Sequence, residues 1–264
     1  MYEFQYHHPA SLDEAASLIG ANEDAKLVAG GMTLIPTLKQ RLARPSDLVD
    51  LAAIASLRGI SEDGDALVIG AMTRHADVNR SAVVKRVIPA LAAMAGMIGD
   101  PAVRNRGTIG GSVCNNDPAA DYPAALVALG ATVRTNKREI GADHFFTGMF
   151  ETALAPDEIV TAVKFPKPQA AAYQKFRNPA SRYAIVGVFV ARNAGGVRVA
   201  VAGAGPCVFR VPEMEAALAR SFTPDAIKDI TIKEDGLNSD IHASAEYRAH
   251  LVGVMARRAV AGCA

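Results

Sequence analysis

RNRGTIGGSVCNNDPAADYPAAL, the stretch from Arg104 to Leu126, concentrates turn-forming and small polar residues between two apolar runs. It contains a glycine pair, adjacent asparagines, two aspartates and two prolines. A surface loop uses some of these residues, but a loop that wraps a negatively charged group uses nearly all of them. Glycine lets the backbone approach such a group closely and turn its N–H groups toward one point. The stretch therefore predicts an anion-binding loop.

A second glycine pair lies in AKLVAGGMT, where a short apolar run ends at Gly30 and Gly31. Both pairs are flanked by hydroxyl residues, and concave arrays of backbone N–H groups bind phosphate. A helix predicted from Leu34 to Leu42 would add the positive end of its dipole. Two plain turns remain the alternative, but the matching flanks indicate a pyrophosphate site. Its candidate residues are Ala29, Gly30, Gly31, Met32, Thr33, Thr108, Ile109, Gly110, Gly111 and Ser112.

Further polar side chains surround the second glycine pair. Asn116 and Asp117 favour Asx-turn interactions with the backbone. Asp121 precedes a predicted helix start, so N-capping and ligand contact are both open to it. Arg104 and Arg106 either offset the charge of a pyrophosphate or lie in solvent as surface arginines.

Composition excludes several classes of function. The 264 residues include 28 basic and 27 acidic side chains, without the basic excess of nucleic-acid-binding or membrane-surface proteins. No apolar run is long enough to span a bilayer, and the first residues lack the regions of a signal peptide. Three cysteines are too few to hold an iron–sulfur cluster, and we expect them reduced in a cytoplasmic protein. No metal-ligand spacing and no Ser/His/Asp set occurs, so we predict no metal-binding and no catalytic residue.

The order of elements predicts an α+β fold. Ser11-Leu-Asp-Glu14 is a capping box that begins a helix. Residues 81–98 have the periodicity of an amphipathic helix that Pro89 breaks or kinks. YAIVGVFVAR and VRVAVAGAG, joined by a glycine turn, predict an antiparallel hairpin. The strands lack the regular βαβ rhythm of a doubly wound fold, and FPKPQAAA is the best domain boundary.

With both loops identified, the chain resembles a known family. VAGGMTLIPTLKQRLARPSDLVDL resembles the first flavin loop of the FAD-binding medium subunits of molybdenum hydroxylases, and IGDPAVRNRGTIGGSVCNNDPAADYPAAL resembles the second. KFRNPASRYAIVGVFVA and SAEYRAHLVGVMARRAV resemble the start and the last helix of the family's C-terminal domain. The best-known relatives belong to the carbon monoxide dehydrogenase and xanthine dehydrogenase groups. The resemblance runs from near Phe4 to near Ala261.

The resemblance implies a fold and its division. Two α+β lobes form an FAD-binding region of the vanillyl-alcohol-oxidase (PCMH) type, and a smaller C-terminal domain with an antiparallel sheet and helices covers the flavin. The implied ranges are 1–54 for the first lobe, 55–168 for the second and 169–264 for the C-terminal flavoprotein domain.

The resemblance also implies roles for single residues. Asp121 would contact the ribose on the ADP side or a polar group nearby, and Ile159 or Val160 would pack near the adenine or the ring. Lys175 and Tyr183 would lie by the isoalloxazine, with Arg177 as another cation close by. Members near carbon monoxide dehydrogenase usually carry His where this chain has Met32 and Ser where it has Thr33. The hydroxyl is kept and the imidazole is lost, but backbone amides do not depend on either side chain.

The function implied is electron transfer within an oxidoreductase complex. A large partner would hold the molybdenum cofactor, and a small partner would hold [2Fe-2S] clusters. This chain would receive electrons on FAD and pass them to an external acceptor, in a dimer of heterotrimers (a heterohexamer). Two alternatives are a self-sufficient FAD oxidoreductase of the same fold and a scaffold subunit without flavin. No nucleic acid and no direct membrane insertion are expected.

Overall fold

Residues 1–263, the part of the chain that the computed structural model describes, contain fourteen β-strands in four sheets, eleven α-helices and three short 3-10 helices. The strands are β1 (Gln5–His7), β2 (Lys26–Val28), β3 (Asp47–Asp50), β4 (Ile60–Asp63), β5 (Ala66–Gly70), β6 (Thr132–Thr135), β7 (Glu139–Gly141), β8 (Phe146–Gly148), β9 (Glu151–Thr152), β10 (Val160–Pro166), β11 (Ala170–Arg177), β12 (Ala184–Asn193), β13 (Gly196–Ala202) and β14 (Phe209–Arg210). The helices are α1 (Leu12–Ala21), α2 (Leu34–Lys39), α3 (His75–Arg80), α4 (Ala82–Val87), α5 (Pro89–Gly96), α6 (Pro101–Arg106), α7 (Ile109–Asn115), α8 (Tyr122–Leu129), α9 (Ala142–Phe145), α10 (Pro212–Arg220) and α11 (Ala245–Gly262).

A three-stranded parallel sheet of order β1-β3-β2 begins the chain. The capping box predicted for α1 is present: the Ser11 hydroxyl accepts from the Glu14 amide at 3.2 Å, and the Glu14 carboxylate accepts from the Ala10 amide at 3.0 Å. β2 leads directly into the first glycine loop, and α2 follows that loop. The sheet therefore fixes the entry to the loop.

A second, antiparallel sheet has the order β4-β5-β10-β6-β7, with β10 at its centre. Helices α3, α4, α5, α7 and α8 and this sheet enclose the largest apolar core. Pro89 ends the helical run predicted over 81–98, because α4 stops at Val87 and α5 begins at Pro89. Ile88 between them has no helical backbone angles, as expected for a residue before proline.

The third sheet, β11-β12-β13-β14, is antiparallel and contains the predicted hairpin of β12 and β13. Alternate residues of its strands face opposite layers. Phe189 and Ala200 join the core around α8, whereas Val190 and Val199 pack with α10 and α11. Every residue of α8 is buried. The sheet is thus a middle layer, which confirms the predicted α+β class and the antiparallel C-terminal sheet.

The stretch predicted as a long loop is mostly helical, which is a correction. Residues 101–106 and 109–115 form α6 and α7, and the pair Gly110-Gly111 lies inside α7. Asp100 and Thr108 cap these helices with their side chains, accepting from the amides of Val103 at 2.9 Å and Gly111 at 3.1 Å. These caps, together with bonds from the Ile109 and Gly110 amides to the carbonyls of Thr73 and Ala71, offset the low helix propensity of glycine. Within residues 1–263, no helix is both long and apolar enough to cross a membrane.

Candidate functional site

A cleft of about 470 Å³ lies between the two glycine loops, the segment around Asp117–Asp121 and a turn of the C-terminal sheet. All predicted site residues line it except Ile109 and Lys175. Segments from all three large sheets therefore meet at one concave surface. Small-molecule ligands bind in concave surfaces of this volume.

The first glycine loop presents unused backbone donors to this cleft. The amides of Gly30, Gly31, Met32 and Thr33 have no acceptor within the described residues. Gly31 has a φ of +71°, which turns the chain sharply at this point. A β-carbon on Gly30 would overlap the carbonyl of Arg106, so the first loop is pressed against the second. Successive free amides at such a turn suit an anion.

The second glycine loop differs because its own fold uses most of its amides. The Ile109 amide donates to the Thr73 carbonyl at 3.0 Å, and the Gly110 amide donates to the Ala71 carbonyl at 2.8 Å. The Ser112 amide is bonded to the carbonyl of Thr108 at 3.0 Å. These amides already have acceptors within the protein, and the predicted contact of the loop with a phosphate stays a prediction. The hydroxyls of Thr108 and Ser112 remain beside the cleft.

Ile109 lies behind the cleft surface. Its side chain is fully buried in the main core, and it does not line the cleft. The side chain therefore anchors the loop from behind. Gly110 lines the cleft but serves the same purpose, since a β-carbon there would lie 2.7 Å from that of Ala71.

Asp121 lines the cleft with a buried carboxylate that is already paired. Lys175 donates to one of its oxygens at 2.9 Å, and the Tyr173 hydroxyl donates to the other. The side chains of Asp121 and Lys175 are only 4% and 2% exposed. Burial raises the pKa of Asp121, and the Lys175 ammonium opposes that rise. Asp121 stands at the start of α8 but makes no capping bond, so the N-cap alternative does not apply.

Lys175 lies behind the cleft wall and is not among the residues that line the cleft, and its predicted position beside the flavin ring stays a prediction. Its ammonium also donates to the carbonyl of Met97 at 3.1 Å. Both acceptors, Asp121 and Met97, belong to the N-terminal part of the chain. The lysine of β11 therefore ties the third sheet to the cleft wall.

Ile159 and Val160 contribute to the apolar surface of the cleft. Ile159 clusters with Leu51 and Met72, which also line it. The side chain of Asn136 accepts from the Ile159 amide at 2.9 Å, and the Asn136 amide donates to the Ile159 carbonyl at 2.9 Å. The β6–β7 turn thus holds Ile159 in place. An apolar wall of this kind suits an aromatic ring.

Tyr183 comes from a tight turn that covers one side of the cleft. The Asn178 side chain accepts from the amides of Ala180 and Ser181 at 2.9 and 3.1 Å. Arg182 has a left-handed φ of +63°. Tyr183 itself is 47% exposed. Burial of part of the ring raises the pKa of its hydroxyl, so the side chain is neutral at physiological pH.

His75 is a lining residue that the sequence did not reveal. It is 4% exposed, and its ring lies so close to Gly107 that a β-carbon there would be 2.6 Å from Nε2. Its Nδ1 has no partner within residues 1–263. Burial, with a contribution from the Arg104 guanidinium, lowers the pKa of His75 to about 4. The ring is therefore neutral at pH 7. No motif marked it, because its neighbours come from distant segments.

The other polar candidates have structural roles. Asp117 forms the predicted Asx turn by accepting from the Ala119 amide at 2.9 Å. Asn116 does not, which is a correction. It is left-handed at the end of α7, and its side chain donates to the carbonyls of Gly148 and Glu151 at 2.8 and 2.7 Å. Arg104 binds the carbonyl of Ile98 at 3.0 Å.

The described residues contain no group of three or more His, Cys, Asp or Glu side chains placed to hold a metal ion. The three cysteines, Cys114, Cys207 and Cys263, are free. Burial raises the pKa of the Cys114 thiol to about 12, which makes it an unreactive neighbour of the cleft.

The donor set of the cleft fits one class of ligand. Free amides and hydroxyls at the glycine loops suit a pyrophosphate, a carboxylate acceptor at Asp121 suits sugar hydroxyls, and the apolar wall suits flat aromatic rings. A dinucleotide contains all three parts.

Comparison with known proteins gives the same answer. Residues 2–168 match the family described as the FAD binding domain in molybdopterin dehydrogenase, and residues 171–262 match the CO dehydrogenase flavoprotein C-terminal domain. The nicotine 6-hydroxylase medium subunit of Paenarthrobacter nicotinovorans is 37% identical over 97% of this chain and 95% of its own length. The carbon monoxide dehydrogenase medium chain of Hydrogenophaga pseudoflava is 35% identical over 97% and 96%.

A solved structure is also similar. Carbon monoxide dehydrogenase from Hydrogenophaga pseudoflava, in a form that lacks the Mo-pyranopterin moiety of its molybdenum cofactor, superposes with a TM-score of 0.91 at 36% identity. The match covers 99% of this chain and 97% of that chain.

Proposed function

Because this chain belongs to the family of FAD-binding subunits of the molybdopterin dehydrogenases, we propose that its cleft holds one FAD noncovalently and that the subunit relays electrons. The family resemblance predicted from the two glycine loops is confirmed. As a member, the chain is the FAD-binding medium subunit of a molybdenum-containing oxidoreductase. Its proposed task is to accept electrons from the iron–sulfur clusters of a partner and to deliver them to an external acceptor.

The observation that carries the proposal is the array of free amides in the first glycine loop. Four successive N–H groups, from Gly30 to Thr33, lack an acceptor within the described residues and border the cleft. Gly30 and Gly31 are half-buried, and amides in such positions normally find a partner, so the array supports a bound ligand. We assign the pyrophosphate to it, with the hydroxyls of Thr33, Thr108 and Ser112 as further donors.

The remaining assignments follow the chemistry of the cleft wall. Asp121 accepts hydrogen bonds from sugar hydroxyls. Ile159 and Val160 pack against an aromatic ring, and Tyr183 shields a ring from solvent at the open side. Met32, which is 38% exposed, contributes its backbone amide and not its side chain.

Bound FAD supplies one-electron and two-electron redox chemistry that no side chain provides. The chain binds and orients the group. The apolar wall around Ile159 excludes water, and the Asp121–Lys175 pair keeps a charge-balanced surface next to the sugar. His75 stays neutral and moves no proton at physiological pH, because its pKa is about 4. We propose no catalytic residue on this chain.

Partners supply the rest of the activity. Relatives are named as medium subunits of hydroxylases and dehydrogenases with substrates as different as nicotine and carbon monoxide. We propose a large partner with the molybdenum cofactor, which selects the substrate, and a small partner with [2Fe-2S] clusters. A dimer of heterotrimers in the cytoplasm is the proposed assembly. Light scattering of the purified complex tests the assembly. The expected mass is that of two copies of each of the three chains.

The division of the chain also stays a proposal. We place lobe boundaries at 1–54, 55–168 and 169–264, which is supported by the three large sheets falling within one range each. Pro166 and Gln169 are exposed, so limited proteolysis should cut first near residue 168, and first cuts elsewhere would count against this boundary.

Release of the flavin tests the FAD assignment. The full chain, purified with its partners, should be yellow, and denaturation should leave FAD in the supernatant after the protein is removed. Flavin that stays on the denatured chain would refute noncovalent binding. A colourless complex that takes up no FAD on reconstitution would instead support the scaffold alternative.

Turnover tests the relay. The full complex with substrate should bleach the flavin, and the isolated medium subunit should not turn over organic substrates. Turnover by the isolated chain would support the self-sufficient oxidoreductase.

A further inference from the structure

Three buried polar residues connect the C-terminal sheet to the cleft. Tyr173 and Lys175 are two residues apart on β11, so their side chains lie on the same face of the strand. Both donate to the carboxylate of Asp121, one to each oxygen. Asp121 lines the cleft, whereas its two partners do not. The contacts therefore reach the cleft from behind.

The neighbouring strand is shaped to let the tyrosine through. Gly187 of β12 pairs with Lys175 in the sheet register, and a β-carbon on it would overlap the Tyr173 hydroxyl. The ring of Tyr173 packs on Phe189 of β12, with centroids 5.9 Å apart. A glycine at position 187 is thus required by the path of one side chain toward Asp121.

The carboxylate has acceptor capacity left over. An ionised carboxylate offers about four lone-pair sites, and Tyr173 and Lys175 occupy two of them. Asp121 lines the cleft, so we assign the remaining sites to a ligand there. Fixing both oxygens also removes the rotational freedom of the carboxylate, which would otherwise be lost when a ligand binds.

From this geometry we infer that Tyr173 and Lys175 are positioning residues, which hold Asp121 to accept hydrogen bonds from the sugar hydroxyls of FAD. The inference rests on the proposed FAD site and adds a role for the C-terminal sheet. The sheet does not merely cover the cleft, because its docking sets the state of a binding residue. Affinity for FAD is consequently coupled to the contact between β11 and Asp121.

Gly187→Ala tests the inference without touching the cleft or removing a charge. The new methyl group displaces the Tyr173 hydroxyl from Asp121. We expect the dissociation constant of FAD to rise about tenfold, the range for losing a hydrogen bond to a charged group. Gly195→Ala is the matched control, because a β-carbon there has no atom within 4 Å. It should leave the affinity unchanged.

Lys175→Met tests the charge. We expect FAD affinity to fall about tenfold to a hundredfold. The pH below which affinity declines should move upward, because an unpaired buried carboxylate holds its proton to higher pH. Lys164→Met, which removes the lysine of the more exposed pair with Asp63, is the control and should change neither quantity.

The pH profile isolates Asp121 among the groups around it. Tyr122, Tyr173 and Tyr183 face Asp121 from α8, β11 and the covering turn, and burial raises the pKa of each tyrosine, so they stay neutral below pH 9. Asp117 and His75 also border the cleft, but they titrate in the wild type and the variant alike.

Each outcome decides the inference. A raised dissociation constant in Gly187→Ala and Lys175→Met, with far-UV circular dichroism unchanged, supports it. Wild-type affinity in both variants overturns it while leaving the FAD site itself intact. Absence of FAD from the wild type overturns the proposed function instead. If Lys175→Met does not fold, Tyr173→Phe removes a single hydroxyl, and unchanged affinity in that variant also refutes the positioning role.

Discussion

The two glycine loops face the same cleft but use their backbones differently. In the first, the amides from Gly30 to Thr33 are free within the described residues, and no side chain caps α2. In the second, the amides of Ile109 and Gly110 bind the carbonyls of Thr73 and Ala71. The first loop thus has the free donors that the proposed ligand needs, whereas the second uses its donors to stabilise the fold around the first. Similar glycine pairs can therefore serve a ligand or a scaffold, depending on where their hydrogen bonds go.

The largest expected effect is that acid lowers the free energy of unfolding through His75, which packs beside the second glycine loop. His75 packs against Gly107, and its pKa falls from an ordinary 6.5 to about 4 on folding. Below pH 6.5 His75 is protonated in the unfolded chain but stays neutral in the folded chain until the pH nears 4. The free energy of unfolding should therefore fall by about 3 kcal/mol between pH 6.5 and 4 through this group. Urea unfolding of the wild type and His75→Gln across this range measures it, and an equally steep decline in both would contradict the assignment.

Gly110→Ala should destabilise the chain even without FAD. A methyl group there lies 2.8 Å from the Ala71 carbonyl, so the bond from the Gly110 amide to that oxygen must lengthen. Overpacking of this kind costs about 2 kcal/mol. Thermal unfolding of the FAD-free chain measures the loss. Gly141→Ala, which meets no atom within 4 Å, is the control. A stable apoprotein with normal melting would mean that the second loop is not a scaffold.

Gly31→Ala should instead act on the ligand. Its φ of +71° disfavours alanine, and a β-carbon there would lie 2.8 Å from the Ile35 side chain, so the turn must relax and redirect the free amides. We expect the dissociation constant of FAD to rise about tenfold, or 1.4 kcal/mol, with about 1 kcal/mol lost from the apoprotein. Gly64→Ala carries the same backbone strain, with a φ of +58°, in a hairpin outside the cleft. Equal losses of FAD affinity in both variants would show that backbone strain alone explains the effect, and that the Gly31 turn has no specific role in binding.

The smallest effects separate the two threonines. Thr108 caps α7 by accepting from the Gly111 amide at 3.1 Å, whereas Thr33 makes no capping bond to α2. Thr108→Ala should cost the apoprotein about 1 kcal/mol, and Thr33→Ala should cost almost nothing. Chemical denaturation of both FAD-free variants checks the difference. Equal stabilities would show that the loops are more alike than their hydrogen bonds indicate.

Much of the fold could be predicted from local patterns. The Ser11 capping box, the break at Pro89 and the β12–β13 hairpin are set by residues within a few positions of one another. The helical state of 109–115 could not be predicted, because it depends on acceptors at Ala71 and Thr73. Glycine propensity alone favours a loop there, and the distant strand end decides otherwise.

The candidate site shows the same limit. The glycine pairs located both loops, but the assignment of free and occupied amides needs the tertiary structure. Ile109 has the same place in its loop as the residues that line the cleft, yet its side chain belongs to the core. His75 carries no motif, and the pairing of Lys175 with Asp121 joins residues that lie on different layers.

The central position of β10 determines when, during synthesis of the chain, the FAD site can form. β10 pairs with β5 on one side and β6 on the other, and the Thr161 carbonyl binds the Ala71 amide at 2.9 Å. Ala71 in turn holds the Gly110 amide, so the second loop depends on a strand that leaves the ribosome long after the loop itself. Contacts this distant in sequence form late, since a large loop must close first. We expect a nascent chain that has emerged only as far as β9 to be unable to retain FAD, which would make cofactor uptake one of the last steps of biosynthesis.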